Sequence, residues 1–305
     1  MPNRSDRLRL WLIPLSLAAL ACSRAPREAV ERGDRLYGAG EIDAAVAEYK
    51  LALRQRGENP KVLLRLGSAY GSRGEVEAGL RYLRLLVNVD STYRYQVVSE
   101  LAHAARVARE RGAFENMARA LQPVQEWGLG LVPPDLRLPL ARYYADLSDY
   151  ARALPLYLAA AEGDSLPSSA DYETARAFQE LGGCREALVY FERYLGARSS
   201  DRADRSGARW QYGNCLYAVA EQDIASGAGG TARARLDALI GQGVPRTLLD
   251  RAHFARGEIR LGEGDVAGAE GDFQAVLDLN PARSGPLVVM AEERLREIRY
   301  GFLDR

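Results

Sequence analysis

The sequence has little of what catalytic sites are usually built from. Its 305 residues include two histidines, His103 and His253, and three cysteines, Cys22, Cys184 and Cys215. That leaves nothing for a His-rich metal motif, a zinc-spaced cysteine pair or an H-E-x-x-H helix, and neither a G-x-S-x-G elbow nor a phosphate-binding loop ending in Gly-Lys occurs. The glycine-rich stretch Ser226-Gly227-Ala228-Gly229-Gly230 lacks that lysine and a preceding strand, so it reads as a turn. Lysine itself is almost missing, Lys50 and Lys61 standing alone, and arginine carries the positive charge. The 41 basic and 41 acidic residues cancel, which argues against the basic face of a nucleic-acid binder. Long apolar runs are also lacking: Leu10 to Ala21 falls short of the roughly 20 residues of a spanning helix, and no later segment is long enough.

What is present favours helices. Ala, Leu, Arg, Glu and Gly dominate, β-branched residues are sparse, and charges are interspersed with apolar positions rather than blocked. The N-terminus reads as an address: Arg4, Arg7 and Arg9 precede the apolar run, which has the length of a signal-peptide core. The run ends Ala18-Ala19-Leu20-Ala21-Cys22, which resembles the lipobox of bacterial lipoproteins, with Ala19 where Leu is more usual. That resemblance implies removal of residues 1–21, lipidation of Cys22 and, with Ser23 following, sorting to the outer membrane, anchored by acyl chains and facing the periplasm.

An internal period organises everything after it. Leu63, Leu66, Gly67 and Tyr70 fall at the spacing W-x2-L-G-x2-Y, followed by Gly74. Gly33 lies thirty-four residues before Gly67, and its unit continues through Gly40, Ala45, Tyr49 and Ala52. Ala153 and Ala187 are again thirty-four apart, each with an aromatic four residues on, Tyr157 and Phe191. The last unit runs Gly257, Gly264-Asp265, Ala269, Phe273 and Asn280-Pro281. Small residues at two positions let a helix pair cross closely, an aromatic fills the gap between units, glycine makes the turn and proline ends the second helix.

This order resembles the tetratricopeptide repeat. The resemblance implies an all-α, right-handed superhelical solenoid of about seven helix-turn-helix repeats over residues 22–285, with starts near Pro26, Pro60, Val98, Pro134, Ser168, Ser206 and Asp250. Pro286 to Leu303 reads as an amphipathic capping helix, with Leu287, Met290, Ala291, Leu295 and Ile298 on one face. Cys184 and Cys215 fall on neighbouring helices, where they either pair as a disulfide or serve as small apolar core residues.

By the same resemblance, function lies on the surface lined by the first helices. Its ninth positions are Asp34, Ser68, Arg106, Arg142, Arg176, Asn214 and Glu258, and the fifth and twelfth add Tyr172, Trp210, Tyr217 and Phe254. Consecutive arginines beside aromatics suit an extended or C-terminal peptide, since arginine can hold a carboxylate through two parallel hydrogen bonds. The alternative is a solvated arginine face with aromatics packed between repeats. The expected role is an adaptor or assembly factor for proteins of the cell envelope, without cofactor, metal or catalysis. A self-associating structural subunit is the alternative, and an envelope enzyme the more distant one.

Overall fold

A computed structural model of the chain describes residues 15–161, 169–197 and 202–301, and among these residues there are fifteen α-helices and no strand. The chain divides between Tyr143 and Tyr144 into two compact units. In the first unit α1 (Leu15–Gly38) pairs with α2 (Ile42–Arg56), α3 (Pro60–Arg73) with α4 (Val76–Val89) and α5 (Arg94–Glu110) with α6 (Phe114–Trp127). Helix α7 (Pro134–Asp146) follows. The second unit holds α8 (Tyr150–Ala161), then three pairs: α9 (Ser169–Glu180) with α10 (Cys184–Gly196), α11 (Arg202–Ala225) with α12 (Gly229–Gln242), and α13 (Leu249–Gly262) with α14 (Val266–Leu279). It closes with α15 (Pro286–Tyr300).

Local chemistry sets these boundaries. Pro60 occupies the first turn of α3, where its missing N–H leaves no bond unmade, and the Asn59 side chain accepts from the Lys61 amide at 3.0 Å. Gly74 ends α3 at φ 82°, a left-handed conformation that closes the hairpin while its amide and that of Glu75 bond back to Gly71 and Tyr70. Of the expected first-helix starts, Pro60 and Pro134 coincide, Ser169 and Leu249 each differ by one and Arg202 precedes Ser206 by four, whereas α1 begins at Leu15, well before Pro26. The third starts at Arg94 rather than Val98, preceded by a 3-10 turn over Ser91–Tyr93.

Packing inside each hairpin uses size differences. A side chain at Gly33 would meet the Tyr49 ring at 2.5 Å, one at Gly67 would meet Leu83 at 2.4 Å, and one at Gly257 the Phe273 ring at 2.8 Å. Ala105, Ala141 and Ala175 hold the corresponding place in other first helices and are fully buried. Repeating this contact buries apolar side chains in each unit, among them Val46, Leu66 and Tyr70 in the first and Leu216, Val219 and Leu236 in the second.

Helix α15 covers the end of the last hairpin. Val288, Ala291, Leu295 and Ile298 are buried against Ala269, Phe273, Val276 and Leu277 of α14. This corrects the sequence-based face at one place: Met290 is exposed and Val288 takes the inward position. Pro286 starts the helix and Gly285, at φ 108°, turns the chain into it; Val288, Ala291, Leu295 and Ile298 follow the three- and four-residue spacing of one helix face, which leaves Met290 beside it. Cys184 and Cys215 form a disulfide between α10 and α11, with Cys215 fully buried.

The expected signal-peptide cleavage and lipidation at Cys22 lie outside the described features: residues 1–14 are not described, and for Cys22, within α1, only the backbone is. Among the described residues no helix is long and apolar enough to cross a membrane.

Candidate functional site

In the first unit the ninth-position residues of α1, α3 and α5 each engage the next first helix. Asp34 on α1 receives Nε and Nη2 of Arg65 on α3, at 2.5 and 2.7 Å, and also the Tyr49 hydroxyl at 2.8 Å. Ser68 on α3 donates to Glu100 on α5 at 2.6 Å. Arg106 on α5 grips Asp135 on α7 with two bonds of 2.9 Å each. In the second unit Glu258 on α13 is held by Arg294 on α15 at 2.8 and 3.2 Å. A ladder of polar bonds thus links the successive first helices α1, α3, α5 and α7 of the first unit, while in the second unit one such pair ties α13 to the end helix α15.

These bonds decide the electrostatics. The Arg65 guanidinium holds the Asp34 carboxyl below its ordinary value, against a smaller opposing effect of burial, and Asp34 in turn raises Arg65. Arg106 lowers Asp135 in the same way. The expectation of a free arginine stripe is corrected at Arg106, whose fork is filled by a carboxylate of its own chain rather than open to a peptide's.

The other expected site residues are distributed between the units. Arg142, on α7 in the first unit, is exposed. In the second unit Arg176 donates to the Tyr150 hydroxyl at 3.2 Å, while its buried Nε has no hydrogen-bond partner. Tyr172 packs tilted against Tyr194 and Phe191, ring centroids 5.3 and 6.2 Å apart, and Phe254 against Phe273 at 5.5 Å. Both therefore serve largely as inter-helix filler. Asn214 is half-buried, and burial, helped by Glu221, pushes the Tyr217 hydroxyl up to about 12. Trp210 alone of these aromatics is 53 % exposed.

A hollow lies elsewhere, on the first helices of the first unit. A cavity of about 480 Å3 opens between α1, α3 and α5. Its walls carry Asp34, Arg65, Ser68 and Glu100 from the ladder, the aromatics Tyr37 and Tyr49, and Leu64, Gly38 and Gln96. Tyr37 is fixed through its hydroxyl, 2.8 Å from Ser72 Oγ, which in turn lies 3.4 Å from Nε2 of His103. A small set of anchored polar groups around apolar and aromatic surface is the usual make-up of a site that orients an elongated ligand. The sequence carries a signal for it in Asp34 and Ser68, which stand at ninth positions, although the arginines and aromatics of later repeats mark the groove more strongly.

Two further clusters in the second unit are structural. Asp272, 2 % exposed, accepts from His253 Nδ1 at 2.8 Å, from Arg256 at 2.5 and 2.9 Å, and from Arg260 at 2.8 Å. Asp223, also buried, joins Arg185 of α10 at 2.7 Å to Thr231 at 3.1 Å and Arg235 of α12. Each buried carboxylate ties helices together through charge-assisted bonds. His253 is thus a packed partner of Asp272, and among the described residues no group of His, Cys, Asp and Glu is placed to hold a metal ion.

Compared with known proteins, residues 30–91 match the family described as the tetratricopeptide repeat. No curated protein matches. Among solved structures, the chain is similar to the MamA protein, with 20 % identity over 57 % of this chain and 91 % of that one, at a TM-score of 0.39. A tetratricopeptide repeat protein from Parabacteroides merdae gives 16 % identity, 90 % and 99 % coverage and a TM-score of 0.36. YrrB, described as a TPR protein with an unusual peptide-binding site, gives 16 % identity, 80 % and 97 % coverage and a TM-score of 0.33. With the paired helices and the contacts of Gly33 with Tyr49 and Gly67 with Leu83 described above, residues 30–91 are a tetratricopeptide-repeat segment, and the described chain has the all-α, helix-paired fold of that type.

Proposed function

We propose that the chain is a lipid-anchored, periplasm-facing scaffold that binds a protein or peptide partner, serving as an adaptor or assembly factor of a cell-envelope complex rather than as an enzyme. The observation that carries the binding role is the cavity between α1, α3 and α5, whose polar groups are held in place by bonds between successive first helices. Groups fixed in this way lose little freedom when a ligand arrives, so contact area converts more fully into affinity. The lipobox-like run ending at Cys22 supports the anchored location. The Cys184–Cys215 disulfide supports an oxidising compartment such as the periplasm.

Site-specific photo-crosslinking in intact cells tests this reading. A photoreactive residue at Leu64 or Gln96 gives discrete protein adducts, whereas one at exposed Arg81 on α4 does not. Equal labelling from both faces would reject the assignment. Cys22→Ser releases the protein into the soluble periplasmic fraction, and continued membrane retention would reject the anchor.

A second reading, self-association through the end helix, is favoured by Val289, Met290 and Tyr300, all exposed on α15. Light scattering of the chain and of Met290→Arg, which leaves the buried face of α15 intact, decides it: an oligomer lost in the variant supports it, and a monomer in both excludes it.

A further inference from the structure

We propose that the cavity between α1, α3 and α5 receives a basic side chain, a lysine or arginine of an extended peptide, with the Glu100 carboxylate as its counter-charge. The inference rests on reading that cavity as a peptide site and adds the chemistry of what enters it.

The charge balance of the walls carries the argument. Three ionised side chains line the cavity: Asp34, Arg65 and Glu100. Asp34 and Arg65 neutralise each other through two parallel bonds, and the third bond to Asp34 comes from Tyr49. The remaining guanidinium nitrogen of Arg65 is directed to the Lys61 carbonyl at 3.4 Å. The fork that would clamp a peptide carboxylate is therefore already filled, which disfavours an acidic side chain or a chain terminus as ligand.

Glu100 is different. Its Oε2 accepts from a neutral group, the Ser68 hydroxyl at 2.6 Å, and among the described residues no cation forms an ion pair with it. Ser68 also bonds the Leu64 carbonyl of its own helix at 3.1 Å, so the group orienting Glu100 is itself tied down. The cavity thus presents one uncompensated negative charge. Partly enclosed charge of one sign raises the local concentration of ligands of the other.

The aromatic wall suits the same ligand. Tyr37 spends its hydroxyl on Ser72, and its ring belongs to the cavity lining. A cation attracted by a carboxylate gains further from the face of an aromatic ring, and the methylene stem of lysine or arginine covers apolar surface such as Leu64.

Selection from a library of random extended peptides on the purified full chain, with Glu100→Gln in parallel, tests the inference. The wild type should enrich lysine and arginine over acidic residues, and the best selected peptide should lose about tenfold in affinity in Glu100→Gln. The variant keeps an oxygen for the Ser68 hydroxyl, and an unchanged thermal midpoint shows that the hairpins are intact. Enrichment of acidic or purely apolar peptides, or a basic preference that survives Glu100→Gln, overturns the inference while leaving peptide binding in place. No enrichment at all overturns it as well, and crosslinking at Leu64 then decides separately whether the peptide-site reading stands.

Discussion

The ring of Tyr49 lies against Gly33 so closely that a Cβ there would meet its Cε1 at 2.5 Å, and the hydroxyl of the same ring donates to Asp34, the next residue. One side chain therefore links two levels of the architecture. Its ring sets the crossing of α1 and α2, and its hydroxyl helps aim the carboxylate that receives Arg65 from α3. Burial and the bond to Asp34 push the Tyr49 hydroxyl well above its usual range, so it stays a donor at any physiological pH.

Glycine-to-alanine replacements should divide sharply by environment. In an open helical position the change adds about 0.5–1 kcal/mol of stability. Gly271, exposed in α14 with nothing within 4 Å of the added atom, should behave so. At Gly67 the new methyl meets Leu83 at 2.4 Å, and overpacking at such contacts costs roughly 1–3 kcal/mol. Urea unfolding of Gly67→Ala and Gly271→Ala should shift the midpoint in opposite directions. A shift of the same sign in both would mean the glycines serve turn or helix propensity alone.

This contrast also shows why the sequence revealed the fold more fully than the site. Gly33, Gly67 and Gly257 are legible because each recurs at one offset from a bulky partner in the same hairpin, Tyr49, Leu83 and Phe273, only sixteen residues away. The site depends on contacts between hairpins. Whether Arg106 is free or filled turns on Asp135, and whether Asp34 is available turns on Arg65, each about thirty residues distant and set by how one first helix slides past the next. Periodicity places a residue on a face without saying what the neighbouring face presents to it. The disulfide lies between these cases: spacing brings Cys184 and Cys215 to adjacent helices but leaves their mutual approach open.

Acid should weaken the fold through its arginine-bound carboxylates. Burial alone raises Asp272, but the bonds from His253 and Arg256 and the charges of Arg256 and Arg260 together outweigh it and leave the carboxyl below its ordinary value. Arg65 lowers Asp34, and Arg185 lowers Asp223, again net of burial. A carboxyl depressed in the folded state contributes stability above its unfolded pKa of about 3.9, and that contribution disappears as pH falls through the folded value. Urea midpoints should therefore hold near neutrality and drop below about pH 4. Asp272→Asn should lose about 3 kcal/mol at pH 7, because Arg256 and Arg260 keep their charge with no buried anion, and its acid limb should be shallower. An acid limb identical to that of the wild type would remove Asp272 as a source of the effect.

The bond between Cys184 and Cys215 should matter to stability in proportion to the chain it closes. The two lie 31 residues apart, and closing a loop of that length is worth about 3–4 kcal/mol by restricting the unfolded chain. Cys184→Ala with Cys215→Ala should lower the thermal midpoint, and reductant should lower it in the wild type without affecting the double variant. A midpoint insensitive to reductant in the wild type would mean that the pair adds nothing to the packed α10–α11 contact.

Ser148 offers the reverse experiment, a position at which the repeat has not used its best residue. In the turns closing α1, α3 and α13 the positive φ belongs to Gly40, Gly74 and Gly264, at 80°, 82° and 83°. Each glycine amide bonds three residues back and the next amide five back, as in Gly264 to Leu261 and Asp265 to Arg260. Between α7 and α8 the same bonds run from Ser148 to Ala145 and from Asp149 to Tyr144, at 2.9 and 2.8 Å, with Ser148 at φ 59°. A side chain in this left-handed region costs roughly 1–2 kcal/mol, partly offset because glycine has more freedom to lose on folding. Ser148→Gly should therefore gain about 0.5–1 kcal/mol. Ser148→Val, which crowds the same backbone with a branched β-carbon, should lose more than that. Thermal unfolding of the two variants beside wild type reads the order directly, and a valine variant as stable as the glycine one would show that the turn adopts another conformation in solution.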